Sequence, residues 1–416
     1  MSKLIIKCTY KRKDGSSYEE NLIIPEGKNF FFKAYKRLKK VTIPEGVTSI
    51  AMDTFNECNG LEEIVLPKTL ESIGDYSFKG CTSLTRIILP ENLKQIGNYA
   101  FAGCENLRKI VFPEKIKSIG VSAFSYCKNL EKVVLPKSLN QIGDYVFYSC
   151  KSLSEITISE GLESIGIDAF KDCINLRNIV LPKSLNQIGD HAFEGCKSLA
   201  EIAIPEGVLS IGVDTFKDCI SLRNIVLPKS LNQICDYAFI GCKSLAEIAI
   251  PEGVLSIGVD TFKDCISLRN IVLPKSLTLI GNYAFAGCTA LKEVVIPAGV
   301  TSIGIGAFVE CKGLKKIVLS NNLEVIGDNT FNRCTKLKEV IIHEGVKLIG
   351  TDAFNRCFSL VKISLPKSLK SIESYAFSKC SSLKEIVMPK NVSIGKNAFN
   401  DCLPTVKKKN YLNNQN

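Results

Sequence analysis

The sequence lacks long apolar segments. Its 416 residues contain no uninterrupted run of about 18 apolar residues, so it does not encode a transmembrane helix. Near the N-terminus only three consecutive apolar residues precede Lys7, which is too few for the hydrophobic region of a signal peptide. The sequence alone therefore predicts a cytoplasmic protein without a membrane span.

Histidine and the residue clusters of common active sites are also scarce. The two histidines, His191 and His343, stand where equivalent segments of the chain carry Tyr or Pro, which is typical of surface sites rather than catalytic ones. No Ser/His/Asp arrangement, phosphate-binding loop or carboxylate pair stands out, and no C-x-x-C or Cys/His cluster has zinc spacing. The sequence predicts a protein that is not an enzyme and that binds no cofactor or metal.

The net charge of +11 is concentrated at the two ends of the chain. Residues 1–57 contribute +4 and the lysines at 407–409 contribute +3, so the long middle region is nearly balanced. A balanced middle region disfavours a continuous phosphate-binding surface, and nucleic-acid binding is not expected there. The basic segment KRLKK at residues 36–40 and the lysine-rich tail leave one alternative open, namely the binding of nucleic acid or a membrane surface through the basic termini.

The chain repeats itself with a period of 23 residues. Starting at Cys58, a cysteine recurs at every 23rd position to Cys380, and once more at Cys402 after a deletion of one residue. A phenylalanine stands three residues before each of these sixteen cysteines, and an isoleucine stands five residues before each phenylalanine. The unit reads C-x-x-L-x-x-I-x-L-P-x-x-L-x-x-I-G-x-x-A-F-x-x. This period and the L-x-x-I-x-L core are typical of a leucine-rich repeat, whose coils bury their apolar sides only by stacking.

Two of the coils have been copied together. Residues 174–219 and 220–265 differ at only four positions, and the residue after the proline alternates between Lys and Glu from Lys137 to Lys275. Stacked strands lie about 4.8 Å apart, so a column of identical charges would repel whereas alternate charges attract weakly. The alternation is a physical reason for duplicating coils in pairs.

Each coil divides into a strand and a turn. The L-x-x-I-x-L segment has the alternating apolar pattern of a strand, and stacking makes it part of a parallel sheet. The proline that follows ends the strand, and the glycine after the second isoleucine allows a bend. Phe, Cys and Leu at a spacing of three then suit a short helical turn. The predicted fold is an α/β repeat solenoid, an arc with a parallel β-sheet on the concave side and short helical or 3-10 turns on the outer side.

Three regions are predicted along the chain. Residues 1–34 hold two strands joined by a KDGS turn and then an incomplete coil, and they are expected to cap the stack. Residues 35–402 hold about 16 leucine-rich repeats of 23 residues. Residues 403–416 lose the repeat register and are predicted to form a disordered basic tail.

The repeat unit resembles the short, cysteine-bearing leucine-rich repeats typified by BspA surface proteins, and the likeness extends from Tyr35 to Cys402. The resemblance implies a solenoid that binds proteins. It further implies a cell-surface adhesin or surface antigen that adheres to host matrix proteins, to cells or to other copies of its kind. A location on the cell surface is thus the alternative to the cytoplasmic location that the N-terminus predicts.

The periodic cysteines are predicted to form a column inside the stack. One cysteine per coil points inward beside Phe and Leu, where a small apolar side chain packs well. The stacking distance also lies within the range for disulfides, so disulfides, and more remotely metal binding, are alternatives to a reduced column. Cys8 and Cys235 stand outside it, and Cys235 replaces the bend glycine, either as a more exposed thiol or as a tolerated substitution.

The outward positions of the predicted sheet form the candidate partner-binding face. The residue after the first isoleucine is apolar in most coils, and the residue before it is often charged. An exposed apolar stripe marks a contact site for a protein partner, although β-propensity on a half-shielded sheet would give the same pattern. The candidate residues are Glu63, Val65, Arg86, Ile88, Lys109, Val111, Lys132, Val134, Glu155, Val180, Glu201, Val226, Glu247, Val272, Glu293, Val295, Lys316 and Val318.

These observations favour a non-catalytic protein-protein interaction module that binds a protein partner of unknown identity along the concave sheet face. Two alternatives remain. One is an intracellular scaffold, and the other is the binder of anionic ligands described above.

Overall fold

The structure, a computed structural model, describes residues 4–24, 31–402 and 407–410, the last four by their backbone only. The chain divides into two compact units, Met1–Gly207 and Val208–Asn416, which we call unit 1 and unit 2. Each unit is a parallel-strand stack of coils. Strands and turns account for the secondary structure of the described residues, and none of them forms a helix that could cross a membrane.

Unit 1 begins with an antiparallel hairpin. Strands β1 (Leu4–Lys11) and β2 (Ser17–Ile24) pair along their whole length, and the rings of Tyr10 and Tyr18 stack across them at 5.3 Å. Strand β1 also pairs antiparallel with β3 (Leu38–Thr42), which in turn pairs parallel with the first regular coil. The hairpin therefore covers the strand edge at the start of the stack.

Each coil contributes two short strands, which build two parallel ladders. Paired residues of neighbouring coils stand 23 positions apart, as in Val133 opposite Ile156, except in the last pair of strands of each ladder, where they stand 22 apart, as in Ile372 opposite Ile394. The first ladder follows β3 in unit 1 with Glu63–Val65, Lys109–Val111, Lys132–Val134, Glu155–Thr157, Asn178–Ile179 and Glu201–Ala203, and in unit 2 it comprises Asn224–Val226, Glu247–Ala249, Asn270–Val272, Glu293–Val295, Lys316–Val318, Glu339–Ile341, Lys362–Ser364 and Glu385–Met388.

The second ladder consists of two-residue strands that precede the bend glycine. Its isoleucines point into the core except Ile394 of the last strand, which is exposed, and the residue before each isoleucine faces outward or lies half-buried. The strands are Ser49–Ile50, Ser72–Ile73, Gln95–Ile96, Ser118–Ile119, Gln141–Ile142, Ser164–Ile165 and Gln187–Ile188 in unit 1, and Ser210–Ile211, Gln233–Ile234, Ser256–Ile257, Leu279–Ile280, Ser302–Ile303, Val325–Ile326, Leu348–Ile349, Ser371–Ile372 and Ser393–Ile394 in unit 2.

The outer segment of each coil is a chain of tight turns, so the predicted helical or 3-10 turns are wrong. In the coil that ends at Cys81, the N–H groups of Tyr76, Phe78 and Gly80 donate to carbonyls of the next coil at 2.7–2.8 Å. The residues between them bond three positions back within the coil. A 3-10 helix would bond every N–H three back, and left-handed backbone at Tyr76 (φ 56°) and Gly80 (φ 70°) breaks any right-handed helical run.

Phenylalanine and cysteine columns fill the core, as the period predicts. Neighbouring phenylalanine rings stack with centroids 5.1–6.0 Å apart, from Phe32 to Phe193 in unit 1 and from Phe216 to Phe399 in unit 2. The column cysteines are buried except for the half-buried Cys402. Burial raises the pKa of these thiols, and among the described cysteines none is joined in a disulfide.

Column cysteines also link neighbouring coils. The S–H donates to the backbone carbonyl of the phenylalanine in the preceding coil, as in Cys150 to Phe124 at 3.1 Å, and the other bonds of this kind measure 2.8–3.3 Å. A thiol is small enough to pack beside the rings and can still satisfy a buried carbonyl. The sequence pattern predicted the packing but not this bond.

The end of unit 2 differs from the disordered tail predicted for residues 403–416. Lys407–Asn410 forms a strand that pairs parallel with Glu385–Met388. Glu385–Met388 is the last strand of its ladder, and an open strand edge is a ready template for any extended segment of chain. The rest of the predicted tail lies outside the described residues.

Candidate binding face

Three outward columns run along the first ladder, and we call the surface they form the ladder face. In each coil they are the two residues before the buried isoleucine and the one residue after it. We name them the first, second and apolar columns, in chain order. The isoleucine or valine between them is at most 8% exposed in every coil, because alternate residues of a strand point to opposite sides. The candidate residues of the second and apolar columns therefore share one surface within each unit.

The apolar column carries large side chains in contact with solvent. In unit 1, Ile88 and Val180 are 79% and 80% exposed, and in unit 2 Val272 is 74% exposed. Val65, Val111, Val134, Val226 and Val295 are also exposed, whereas Val318 is half-buried. The column is interrupted by smaller or polar residues at Thr42, Thr157 and Ala203 in unit 1 and at Ala249 and Ser364 in unit 2. A stripe of this kind costs hydration free energy unless it is covered.

The second column mixes paired and unpaired charges. Lys132 binds Glu155 of the next coil at 2.8 Å, Lys40 binds Glu63 at 3.2 Å, and in unit 2 Lys316 binds Glu339 at 3.0 Å. Such exposed ion pairs stabilise the stack by only a few tenths of a kcal/mol. Within the described part of the chain, no ion pair involves the remaining second-column candidates, which are Arg86, Lys109, Glu201, Glu247 and Glu293.

The first ladder opens between two coils of unit 1. The coil that contains Arg86 and Ile88 has no strand at this position and pairs only through a bridge from Arg86 to Lys109. A cavity of about 480 Å³ lies between this coil and the preceding strand, Glu63–Val65. The second ladder and the phenylalanine column stay closed here, with Phe78 and Phe101 at 5.1 Å. The opening is therefore confined to the ladder face.

A second cavity lies on the ladder face of unit 2. It has a volume of about 390 Å³ and adjoins Val226, Ala249 and Val272. The ladder is again interrupted at this point, because Asn224–Val226 and Glu247–Ala249 do not pair. The coils beside the first cavity keep the L-x-x-I-x-L pattern, and the coil that reads LAEIAI at residues 245–250 beside the second has the same sequence as residues 199–204, whose strand is paired, so no feature of the repeat signals these openings.

The first column distinguishes the two units. In unit 1 it mixes both signs, and four of its five charges pair between coils, Lys39 with Glu62 and Arg108 with Glu131 at 3.8 Å, whereas Arg177 has no ion pair in the described part of the chain. In unit 2 the column holds six exposed cations and no acid. These are Arg223, Arg269, Lys292, Lys315, Lys338 and Lys384. The repeat pattern predicts only that this position faces outward, and the cations become apparent when the column is compared coil by coil.

The basic segment at residues 36–40 is partly neutralised. Lys39 and Lys40 lie in or next to β3 and pair with Glu62 and Glu63 of the next coil. The lysine-rich tail pairs through its backbone at 407–410, and its side chains are outside the described residues. The structure thus leaves less free positive charge near the N-terminus than the sequence alone suggests.

One cluster brings together side chains that could ligate a metal. Ligand atoms of Asp168, His191 and Glu194 lie within 4.8 Å of one another, and His191 Nδ1 is 2.7 Å from Glu194 Oε2. Lys171 already sits between the acids, with Nζ 2.9 Å from Glu194 and 3.2 Å from Asp168. Burial alone would lower the pKa of Lys171, but its hydrogen bonds to both acids raise it. A metal ion would have to displace this ammonium group.

The chain matches a known protein family along most of its length. The family model described as BspA type leucine rich repeat region (6 copies) matches residues 27–154, 140–265, 209–324 and 301–415. No curated protein sequence matches the chain.

Several solved structures are similar to the chain. A leucine-rich repeat protein from Bacteroides ovatus is 27% identical, with 98% of each chain covered and a TM-score of 0.60. The pneumococcal vaccine antigen PcpA is 22% identical, with 96% of this chain and 98% of that chain covered and a TM-score of 0.50. A leucine-rich cell surface protein from Faecalibacterium prausnitzii is 24% identical, with 92% and 93% covered and a TM-score of 0.42.

Proposed function

The chain belongs to the BspA-type leucine-rich repeat family, and from this premise we propose that it is a non-catalytic module whose ladder face binds a protein partner. The observation that carries the proposal is the exposed apolar column. Apolar side chains recur there at the spacing of the coils, and a partner that covered them would remove them from water.

The charged neighbours of the apolar column suit a role in selecting the partner. Arg86 and Lys109 adjoin exposed apolar residues in unit 1, and Glu247 and Glu293 do so in unit 2. Apolar contact supplies most of the affinity in such an interface, whereas charges at its rim determine specificity and the rate of encounter. The two cavities on the face add concave sites in which a partner's side chain could bury surface.

The finer proposal is that the partner is met at a cell surface, as an adhesin or surface antigen would meet it. Its support is membership of the BspA-type family. An intracellular scaffold is the competing proposal. Protease treatment of intact and lysed source cells separates the two, because cleavage on intact cells requires an exposed protein and protection until lysis requires an enclosed one.

Site-specific photocrosslinking tests the binding face. A photoreactive residue at Ile88 should trap one discrete partner, whereas the same residue at Val121, an exposed apolar position on the outer turn, should not. The trapped partner can then be titrated against the purified chain. Val111→Glu and Val134→Glu together should abolish binding, since two charges would be buried in an apolar contact.

The matched control carries the same changes away from the face. Val121→Glu and Ile167→Glu alter side chains that are 38% and 41% exposed, close to the 38% of Val134. Equal loss of binding in both double variants would refute the ladder face as the site. Binding that persisted in the ladder-face variant would refute it as well.

A further inference from the structure

The first column of unit 2 breaks the charge pattern found elsewhere in the chain. Lys and Glu alternate at the position after the proline from Lys137 to Lys275, and in the first column of unit 1 Lys39 pairs with Glu62 and Arg108 with Glu131. In unit 2 four consecutive coils present Arg269, Lys292, Lys315 and Lys338 at this position, all exposed. No ion pair to these four side chains occurs within the described part of unit 2. We call these four residues the basic row.

Backbone hydrogen bonds hold the basic row in register. The N–H of Lys315 donates to the carbonyl of Lys292 at 2.8 Å, and that of Lys338 donates to Lys315 at 2.9 Å. Neighbouring strands lie about 4.8 Å apart, and two like charges at this distance repel by somewhat less than 1 kcal/mol even in water. The repulsion is relieved when an anionic ligand lies along the row.

The acids beside the row reduce its charge only in part. Glu339 and Glu385 of the second column are paired with Lys316 and Lys362, so they bring no net negative charge. Glu247 and Glu293 remain. The stretch from Lys292 to Lys338 therefore keeps a net positive charge, because Lys316 and Glu339 beside it cancel and Glu293 offsets only one of its three lysines.

From this arrangement we propose that unit 2 binds a linear sulfated polysaccharide along the basic row. The ligand would be an extended polyanion whose charges recur along the chain. This site differs in place and chemistry from the protein-binding apolar column, and either can exist without the other.

The surroundings of the row favour a polysaccharide over other polyanions. Single-stranded nucleic acid binds through aromatic side chains that stack on its bases, and the three columns of the described ladder face in unit 2 carry no aromatic residue. An extended acidic peptide presents side chains on one face about every 7 Å, which falls out of step with cations about 5 Å apart. A sulfated polysaccharide requires neither stacking nor a strand register.

The test measures binding of the full chain to a fluorescent heparin fragment. The variant Lys292→Ser, Lys315→Ser, Lys338→Ser should bind at least about tenfold more weakly at about 50 mM salt, and the salt dependence of its affinity should be shallower because fewer counterions are displaced. The control Lys151→Ser, Lys197→Ser, Lys243→Ser removes the same charge from three exposed lysines of another column and should bind nearly as the parent does.

The other outcomes refute the proposal. Equal loss in both triple variants would mean that only net charge matters, and no loss in the row variant would place the ligand elsewhere. Single-stranded DNA or polyglutamate of equal charge that bound as tightly as heparin would assign the row to another polyanion. A variant with arginine at the same three positions keeps the charge and should keep the binding, which separates loss of charge from loss of fold.

Discussion

At most bends the glycine is required by the backbone of the preceding coil, although Gly143 and Gly327 have room for a Cβ. A Cβ on Gly189 would lie 2.6 Å from the carbonyl carbon of Gly166 and 2.7 Å from the nitrogen of Ile167. The sequence suggested that this glycine permits a bend, but the structure shows a close approach between coils. Cys235 occupies the equivalent place in the copied block, and the hydrogen bond after it, from Gly258 to Ile234, is 3.1 Å long.

Exchanging these two residues tests the contact. Gly189→Cys should lower the free energy of unfolding by about 1–3 kcal/mol because the added side chain forces the coils apart. Cys235→Gly should raise it by less than about 1 kcal/mol, since relief of the contact is offset by the greater backbone freedom of glycine in the unfolded chain. Urea unfolding measures both changes, and a neutral Gly189→Cys would contradict the close approach.

The column cysteine can be tested as a hydrogen-bond donor between coils. Cys150→Ala removes a buried S–H from the Phe124 carbonyl and leaves a small cavity, and it should lower the free energy of unfolding by about 1–2 kcal/mol. Cys150→Ser keeps a donor of similar size and should lose less. Urea unfolding of both variants gives the comparison. If the serine variant were no more stable than the alanine variant, the column cysteine would stabilise the stack by packing alone and not through its hydrogen bond.

At the scale of the element, the repeat period predicts which residues fill the interior of the stack but not the conformation of the outer turns. Each coil buries the same residues against its neighbours, so the columns of Ile, Phe and Cys follow directly from a spacing of 23. Phe, Cys and Leu at intervals of three fit a helical turn and a chain of tight turns equally well. The two differ in the left-handed backbone at residues such as Tyr76 and Asp168. Because these residues are not glycines, the sequence does not indicate their left-handed conformation.

The candidate face was predictable in position but not in detail. Alternation around the first isoleucine identifies the second and apolar columns as outward-facing, because a strand has a period of two, whereas the first column precedes the strand and does not follow from this period. The openings beside Ile88 and Val226 depend on small displacements of whole coils, and the repeat pattern is the same there as in closed coils. The cations of the basic row are visible in the sequence, whereas the structure adds that no ion pair reaches these four side chains in the described part of unit 2.

At the scale of the whole molecule, the thiol columns make stability depend on pH. Burial raises the pKa of the column thiols in both units, to about 11 for Cys58 and well above the ordinary value for Cys104, Cys127 and Cys334. In the unfolded chain the same thiols ionise near pH 8.5. Above that pH the unfolded state binds fewer protons than the folded state, so the free energy of unfolding falls as pH rises.

The contribution of the buried thiols to the free energy of unfolding is present in full below the pKa of the unfolded thiols. It declines as pH rises from about 8.5 toward the pKa values of the folded thiols. Each protected thiol contributes about 1.4 kcal/mol per pH unit to the slope. Urea midpoints measured under reducing conditions from about pH 7 to 10 should therefore fall steeply in the upper half of that range.

Removing thiols from the column should flatten this slope. Cys104→Ala with Cys127→Ala takes two buried thiols out of unit 1 and should reduce the slope of its unfolding by about 3 kcal/mol per pH unit. Cys235→Ala removes a half-buried thiol outside the column and serves as the control for general alkaline effects. If the double variant and the parent lost stability in parallel, other groups would be responsible for the alkaline loss. If the slope of the unfolding free energy against pH instead decreases in proportion to the number of column thiols removed, then the buried thiols cause the alkaline loss of stability. The repeat of 23 residues places one such thiol in every coil, so it sets the size of this loss.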